Sequence, residues 1–371
     1  MKIAITGGHH SSALPVLELL QTEHPEISVI WFGHKHTLKG DKNETLEYQQ
    51  ITNLNIPFVD LPAGKFYKTY NLVRLLKIPF GFFVALFHLL RLKPDIILSF
   101  GGYLAVPVVL TGRLLRIPVA THEQTLVTGY ANKLISHFAD KIFISHEESA
   151  KFFSPIKTVL TGIPLRKALF QPKSNSFIFN NEMPVLYITA GKTGSHKINE
   201  TVLNSLPEIL RFYNVMHQCG DYSEYNDFDN LSKKAAVLRG VPNLGSYYLR
   251  KFVLDDEIGE VFQKAQIFLT RAGAHITYEI KVFGKLAIMV PIPWVSHNEQ
   301  YLNSQTLVSC GLAEILEEKD LSPENLVCRL VGMKKKISDH KYLSPEYTDG
   351  SARKILSELF SLYESKTLQK N

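Results

Sequence analysis

Two glycine turns hold the residues best suited to chemistry. From Ile188 to Asn199 the chain reads ITAGKTGSHKIN, an apolar run passing into a helical pattern through Gly191 and Gly194. A glycine turn at a helix N-terminus aims free backbone N–H groups at an anion. Gly191, Lys192, Thr193 and Gly194 therefore form a natural diphosphate site. A P-loop would need a further glycine five residues before Gly191, where Leu186 stands. The matching turn near the start is Ile5-Thr6-Gly7-Gly8-His9-His10-Ser11-Ser12. It lacks the third glycine of a dinucleotide fingerprint, so NAD is poorly supported. Its adjacent histidines could serve as base, as phosphate donors, or merely as caps; such a pair has no metal-ligand spacing.

Other constellations are spread between and beyond these turns. Gly101-Gly102-Tyr103 follows a buried strand pattern and permits close backbone approach to a ligand. His122-Glu123-Gln124 stands at the carboxyl end of the next strand. Without a second histidine four residues on, it is no zincin, and His122 paired with Glu123 reads as a structural pair or as a substrate clamp. Thr270 to Glu279 again joins strand to helix, where an acidic residue in the first turns can accept both ribose hydroxyls. Gln300 and Asn303 share a helix face and suit a polyhydroxylated neutral ligand, or a solvated helix edge. Asp227-Phe228-Asp229 is expected on a surface loop, and Lys334 to Lys336 on a solvated helix face.

The elements that must position these residues alternate along the whole chain. Strand patterns fall at 2–6, 28–34, 95–100, 118–122, 141–145 and 157–161, then at 184–189, 214–219, 247–253, 267–270 and 286–291. Apolar strands separated by helices give parallel sheets covered on both faces. Ligands are expected where such strands end. The polar, pattern-poor stretch within 162–182 reads as an interdomain linker. The fold class is α/β: two doubly wound parallel-sheet domains, over 1–165 and 166–350, with a last helix over 351–371.

Composition narrows the setting. A chain of 371 residues suits two domains, and 45% hydrophobic with 20% charged residues is globular. Three scattered cysteines exclude a disulfide scaffold and give no metal site. The apolar stretch Ile78 to Leu92 is shorter than the ~20 residues of a bilayer span, and no signal peptide is expected. Residues 61–94 contain no acid, but they hold Lys65, Lys68, Arg74, Lys77, Arg91 and Lys93 among aromatic residues. Basic and aromatic residues on an apolar helix fit an anionic membrane surface, expected over 65–93, and are too apolar for a nucleic-acid groove.

Five blocks occur in one order: Gly101 to Pro107, His122 to Lys133, Gly162 to Arg166, Arg271 to Glu279, and Gln300 to Asn303. Together they resemble the MurG-type transferases of glycosyltransferase family 28. The resemblance implies the GT-B fold and transfer of N-acetylglucosamine from UDP-N-acetylglucosamine to lipid I, giving lipid II. It implies a first domain for acceptor and membrane, a second for the UDP-sugar, and a last helix returning to the first. It implies no cofactor and no metal. Val253 would meet uracil, Glu279 the ribose, and Arg166 with the turn Gly191 to Gly194 the diphosphate. Ala274, His275, Ile276 and Thr277 would line the same pocket, with Gln300, Asn303 and Thr125 near the sugar. Gly7, Gly8, Ser11, Ser12, Gly101, Gly102, Tyr103, Glu123, Gln124 and Asn132 would face the acceptor. His10 or His9 would be the base, with His122 the next choice. The chain would work at the cytoplasmic face of the bacterial plasma membrane as a peripheral protein.

This sequence departs from the family pattern in its first turn, where Ser12 stands at the histidine position. Thr125 replaces an asparagine, Lys192 a serine and Ile163 another asparagine. Two other readings stay open: a UDP-N-acetylglucosamine epimerase or related lipid-acceptor transferase, and a silent membrane scaffold that binds a nucleotide sugar.

Overall fold

The computed structural model describes residues 1–8, 10–36, 44–62, 72–222, 224–295 and 298–368, with backbone alone for Leu46 and 72–78. His9, Lys65 and Lys68 lie outside the described residues, as do the side chains of Arg74 and Lys77. The chain divides into two compact units, 1–165 with 348–371, and 166–347.

The first unit runs β1 (Lys2–Thr6), α1 (His10–Glu23), β2 (Ser28–Gly33), α2 (Leu46–Asn53), β3 (Phe58–Asp60), α3 (Leu72–Leu92), β4 (Ile96–Ser99), α4 (Ala105–Leu114), β5 (Val119–Glu123), α5 (Tyr130–Phe138), β6 (Lys141–Ile144) and β7 (Thr158–Leu160). Among the described residues these strands form one parallel sheet in the order β3-β2-β1-β4-β5-β6-β7. Lys2 pairs with Ser28 and Ile3 with Ile96, so β1 is central. Alternating side chains feed two cores. Ile3 and Ile5 pack with Leu17, Leu20 and Trp31 on one face, and Ala4 with Phe32, Leu89, Val108 and Ile135 on the other.

The second unit runs β8 (Val185–Thr189), α6 (His196–Leu210), β9 (Asn214–Gln218), α7 (Asp227–Leu238), β10 (Tyr247–Arg250), α8 (Ile258–Lys264), β11 (Ile267–Thr270), α9 (Ala274–Val282), β12 (Leu286–Met289), α10 (Glu299–Ser309), β13 (Ala313–Ile315) and α11 (Pro323–Ile337). Its sheet order is β10-β9-β8-β11-β12-β13, again parallel. One face buries Leu186 and Ile188 against Ile198, Val202, Leu206 and Leu330. On the other, Tyr187 meets Phe268 edge to face at 5.5 Å.

α12 (Gly350–Leu368) belongs to the first unit. Ala352, Ile355, Leu356, Leu359 and Leu362 fall on one helical stripe, all buried in the core that α1 and β1 share. Burying each large side chain is worth about 1.5–3 kcal/mol, so this helix contributes on the scale of a domain's net stability. The chelate of Arg353 on Glu23 at 2.7 and 2.6 Å joins it to the end of α1 on the exposed side.

Three expectations need correction. β3 and β13 are three-residue edge strands that the hydrophobic pattern did not announce. Within the expected linker, residues 171–177 are fastened to the second unit. Glu260 on α8 accepts from Ser174 Oγ, Ser176 N and Phe177 N at 2.6, 2.8 and 3.0 Å, and Phe177 is fully buried. Asp227-Phe228-Asp229 opens α7 rather than a loop, and Asp227 accepts from Asn199 Nδ2 at 2.8 Å.

Candidate functional site

In each unit the strand order reverses beside its first strand, at β1/β4 and at β8/β11. Open parallel sheets bind ligands at the carboxyl ends of the strands on either side of that reversal. The glycine turns noted in the sequence follow those ends.

In the second unit, Gly191 and Gly194 adopt φ of +81° and +76°. A Cβ on Gly194 would lie 1.9 Å from the Cys219 carbonyl, so the turn passes over the end of β9 only as glycine. A Cβ on Gly191 would meet nothing within 4 Å, which leaves that side of the turn open. Lys192 and Thr193 are exposed there. Gln218 fixes the turn, a role the sequence reading missed. Its Nε2 donates to Thr189 Oγ1 at 3.1 Å and to Gly191 O at 3.0 Å, while its Oε1 accepts from Val253 N at 2.8 Å. Val253 thus lies beside the glycine turn with its N–H already engaged, and contact with a base through that N–H requires exchange.

The next turn begins α9. Gly273 caps the helix in extended conformation, and Ala274, His275 and Ile276 supply its first N–H groups. Thr277 Oγ1 returns to Gly273 O at 2.9 Å. Glu279 is 7% exposed. Burial holds its carboxyl above the usual carboxylate range, against the pull of Arg166. Arg166 pairs with Asp255 and is close enough to act on Glu279. A buried carboxylate next to a helix start and a cation suits a ligand with vicinal hydroxyls and anionic groups.

Asn303 takes a different part from the one expected, and Gln300 spends only its oxygen on the backbone. Gln300 Oε1 accepts from Ala272 N at 3.3 Å and Ile292 N at 3.0 Å. Asn303 Nδ2 donates to Ala272 O at 3.0 Å, and the residue is 2% exposed. Their amides therefore clamp the loops after β11 and β12, and only Gln300 is partly open. Arg271 is the second clamp. It donates to Val290 O at 3.2 Å and to Ser195 Oγ at 2.7 Å, and pairs with Glu318.

In the first unit, Gly8 has φ +122°, and a Cβ there would lie 2.3 Å from Gly101 O. The two glycine loops therefore touch, backbone to backbone. Asn132 Oδ1 accepts from Gly102 N at 3.0 Å and its Nδ2 donates to Glu123 Oε2 at 2.8 Å. Thr125 donates to Glu123 Oε1 from N at 2.9 Å and from Oγ1 at 2.6 Å. Burial raises the Glu123 carboxyl, and the Thr125 and Asn132 bonds oppose it. Ser12 Oγ donates to Gln124 Oε1 at 2.9 Å within α1's first turns. Ser11 and His10, half-buried, start the same helix. Glu47, which the sequence reading did not single out, sets its carboxylate 1.8 Å from where a Gly7 Cβ would sit. Trp31 Nε1 donates to it at 2.7 Å, and it acts on Tyr103, whose hydroxyl is raised chiefly by burial.

His122 and Thr125 are placed inside the first unit. Adjacent strand residues project to opposite faces, so His122 does not pair with Glu123 as the sequence reading allowed. Its Nε2 lies 3.1 Å from both Gly162 O and Ser145 Oγ, and the residue is 1% exposed. A base needs reach of the substrate proton, which this burial denies. Thr125 spends its hydroxyl on Glu123 instead of on a sugar. Among the described residues no group of three or more His, Cys, Asp or Glu could hold a metal ion.

Comparison with known proteins adds the lineage. Residues 6–144 match the glycosyltransferase family 28 N-terminal domain and 185–358 the family's C-terminal domain. A Clostridium perfringens protein named UDP-N-acetylglucosamine–N-acetylmuramyl-(pentapeptide) pyrophosphoryl-undecaprenol N-acetylglucosamine transferase is 32% identical, over 92% of each chain. The crystal structure of Acinetobacter baumannii MurG superposes with a TM-score of 0.69 at 22% identity, covering 97% of this chain and 100% of that one. A putative UDP-N-acetylglucosamine 2-epimerase from Listeria monocytogenes gives 0.65 at 15% identity, covering 98% and 97%. The two structures share the fold with this chain and do not separate the chemistries. The two matched domains and the identity to the Clostridium protein do: the chain belongs to glycosyltransferase family 28.

Proposed function

We propose that this chain transfers N-acetylglucosamine from UDP-N-acetylglucosamine to lipid I, the undecaprenyl-diphosphate-linked N-acetylmuramyl-pentapeptide, and so forms lipid II with inversion at the anomeric carbon. The observation that carries the reading is the buried Glu279 beside Arg166, following the first N–H groups of α9. Glu279 accepts the ribose hydroxyls, and the open side of the Gly191 turn takes the diphosphate. Arg166 exchanges Asp255 for phosphate, and Lys192 adds charge from the exposed turn. Gln300, through the amide end not used on backbone, is left for the sugar.

The acceptor hydroxyl attacks the anomeric carbon on the face opposite UDP, its O–C bond forms as the C–O bond to the diphosphate breaks, and the departing charge falls on N–H groups and cations already in place. Holding both substrates together supplies much of the rate. His10, or His9 beside it, takes the acceptor's proton. The touching Gly8 and Gly101–Gly102 loops form the acceptor platform.

A lipid-linked acceptor calls for contact with a bilayer. No helix among the described residues is long and apolar enough to cross a membrane. On α3, however, Phe80, Phe83, Phe87 and Leu90 are 57%, 68%, 58% and 53% exposed at spacings that make one stripe. Each such side chain moved out of water is worth up to about 1.5–3 kcal/mol, more than the ~1 kcal/mol of each nearby Lys or Arg. The stripe anchors the protein peripherally at the cytoplasmic leaflet, where the nucleotide sugar is available.

Incubation with radiolabelled donor, with and without lipid I in detergent, tests the proposal. Label in the lipid fraction only when acceptor is present supports it; conversion of the donor to its 2-epimer without acceptor supports the epimerase reading instead.

A further inference from the structure

We propose that the second unit carries another ligand site, a cavity of about 310 Å³ at the amino ends of β11 and β12, and that it takes a small aromatic carboxylate. The cavity is lined by residues that precede those strands, Gln266 and Lys285, and by α8 and the segments 169–172 and 342–345. The nucleotide site proposed above lies at the carboxyl ends of the same sheet, so the two are separate. The volume is at the lower end of small-molecule pockets, which suits a benzoate-sized body rather than a nucleotide sugar.

The walls explain the aromatic part. Phe283 packs against Phe170 and Phe262, with ring centroids 4.9 Å apart in both pairs. Tyr342 and Leu343 close another side. Flat apolar surfaces of this kind accept a ring by offset or edge contact.

Two polar groups explain the carboxylate. Lys285 is 5% exposed and lines the cavity. Among the described residues no acid pairs with it, and its contact is the Tyr342 ring, 5.3 Å from Nζ. An ammonium buried without a counter-charge is costly, and burial pushes this one down to about 8. The Tyr342 hydroxyl is buried with no hydrogen-bond partner among the described residues. Burial pushes it up to about 12, so it stays protonated and able to donate. One oxyanion answers both groups, and a ring carrying it fills the apolar remainder.

Residues 169–172 directly follow the point where the chain leaves the first unit, and 342–345 directly precede the point where it returns. A ligand in the cavity holds both segments.

Calorimetric titration of the full chain with benzoate tests the site, with benzyl alcohol and inorganic phosphate as controls. Benzoate should bind saturably, with both controls at least about tenfold weaker. Lys285→Met should weaken benzoate about 10- to 100-fold and Tyr342→Phe about three- to tenfold, as loss of a charged and a neutral hydrogen bond would. Both variants should bind UDP within about twofold of the parent, which separates this site from the proposed nucleotide site. On the unsubstituted chain, benzoate should protect Lys285 from an amine-reactive label read by mass spectrometry, and slow hydrogen exchange in 169–172 and 342–345. Absence of saturation, equal binding of benzyl alcohol or phosphate, unchanged benzoate affinity in Lys285→Met, or labelling of Lys285 indifferent to benzoate would each overturn the proposal. The labelling result stands even if the substituted chains fail to fold.

Discussion

Asn132 Nδ2 donates to Glu123 Oε2 at 2.8 Å, and through this bond the end of β5 is fastened to the glycine loop after β4, whose Gly102 N–H the same amide accepts. Asn132→Leu removes both bonds and leaves a buried carboxylate short of a donor. Denaturant unfolding should show a loss of about 1–3 kcal/mol. UDP affinity should hold, because the site proposed for it is in the other unit, while the KM for lipid I rises. An unchanged KM would separate this network from the acceptor.

Glu279 gives a ligand test. Glu279→Gln should weaken UDP about 10- to 100-fold, the worth of hydrogen bonds to a charged acceptor. UDP lacking the ribose 2′-hydroxyl should lose affinity against the parent and lose little more against the variant. Equal losses in both would show that the carboxylate does not hold the ribose.

The pH dependence follows from the same group. Its folded pKa is raised by burial, so the stability it lends is whole below the ordinary carboxylate value and is lost as pH rises through the raised one. Without UDP, Glu279→Gln should therefore match the parent in acid and melt at an equal or higher temperature at neutral pH. UDP binding to the parent should weaken as pH falls through that raised value. A variant that melts lower at neutral pH would contradict the assignment.

The central strands were legible because they carry apolar runs buried on both faces, as Leu186–Ile188 and Ile96–Leu98 are. β3 and β13 were not, since three edge residues, mixed in burial in β3 and half-buried in β13, carry too little pattern. The glycine turns were legible because Gly8 and Gly194 leave no room for a Cβ. The part played by Asn303 was misread for a physical reason: an amide on a helix face looks alike whether it meets a sugar or, as here, the Ala272 backbone. Gln218 and Glu47 could not be found by spacing, because each meets its turn only once the strands are aligned.

For the base, substitution of His9 and His10 by Ala together should lower kcat about 10²- to 10⁴-fold with little change in donor KM. A full transfer rate in the double variant would exclude the pair. His122→Ala should act on stability instead, as its ring is buried against Gly162 and Ser145.

For the membrane, Phe83→Glu with Phe87→Glu should abolish binding to vesicles of anionic phospholipid. Turnover of a short-chain, water-soluble acceptor should persist. Vesicle binding unaffected by both changes would place the anchor elsewhere.

The anomeric configuration of the sugar delivered to lipid I tests the central claim most directly. Nuclear magnetic resonance of the product from ¹³C-labelled donor should show a β-linked N-acetylglucosamine, since the donor is α-linked and one displacement inverts it. An α-linked product, or label that never reaches the lipid, would contradict the account.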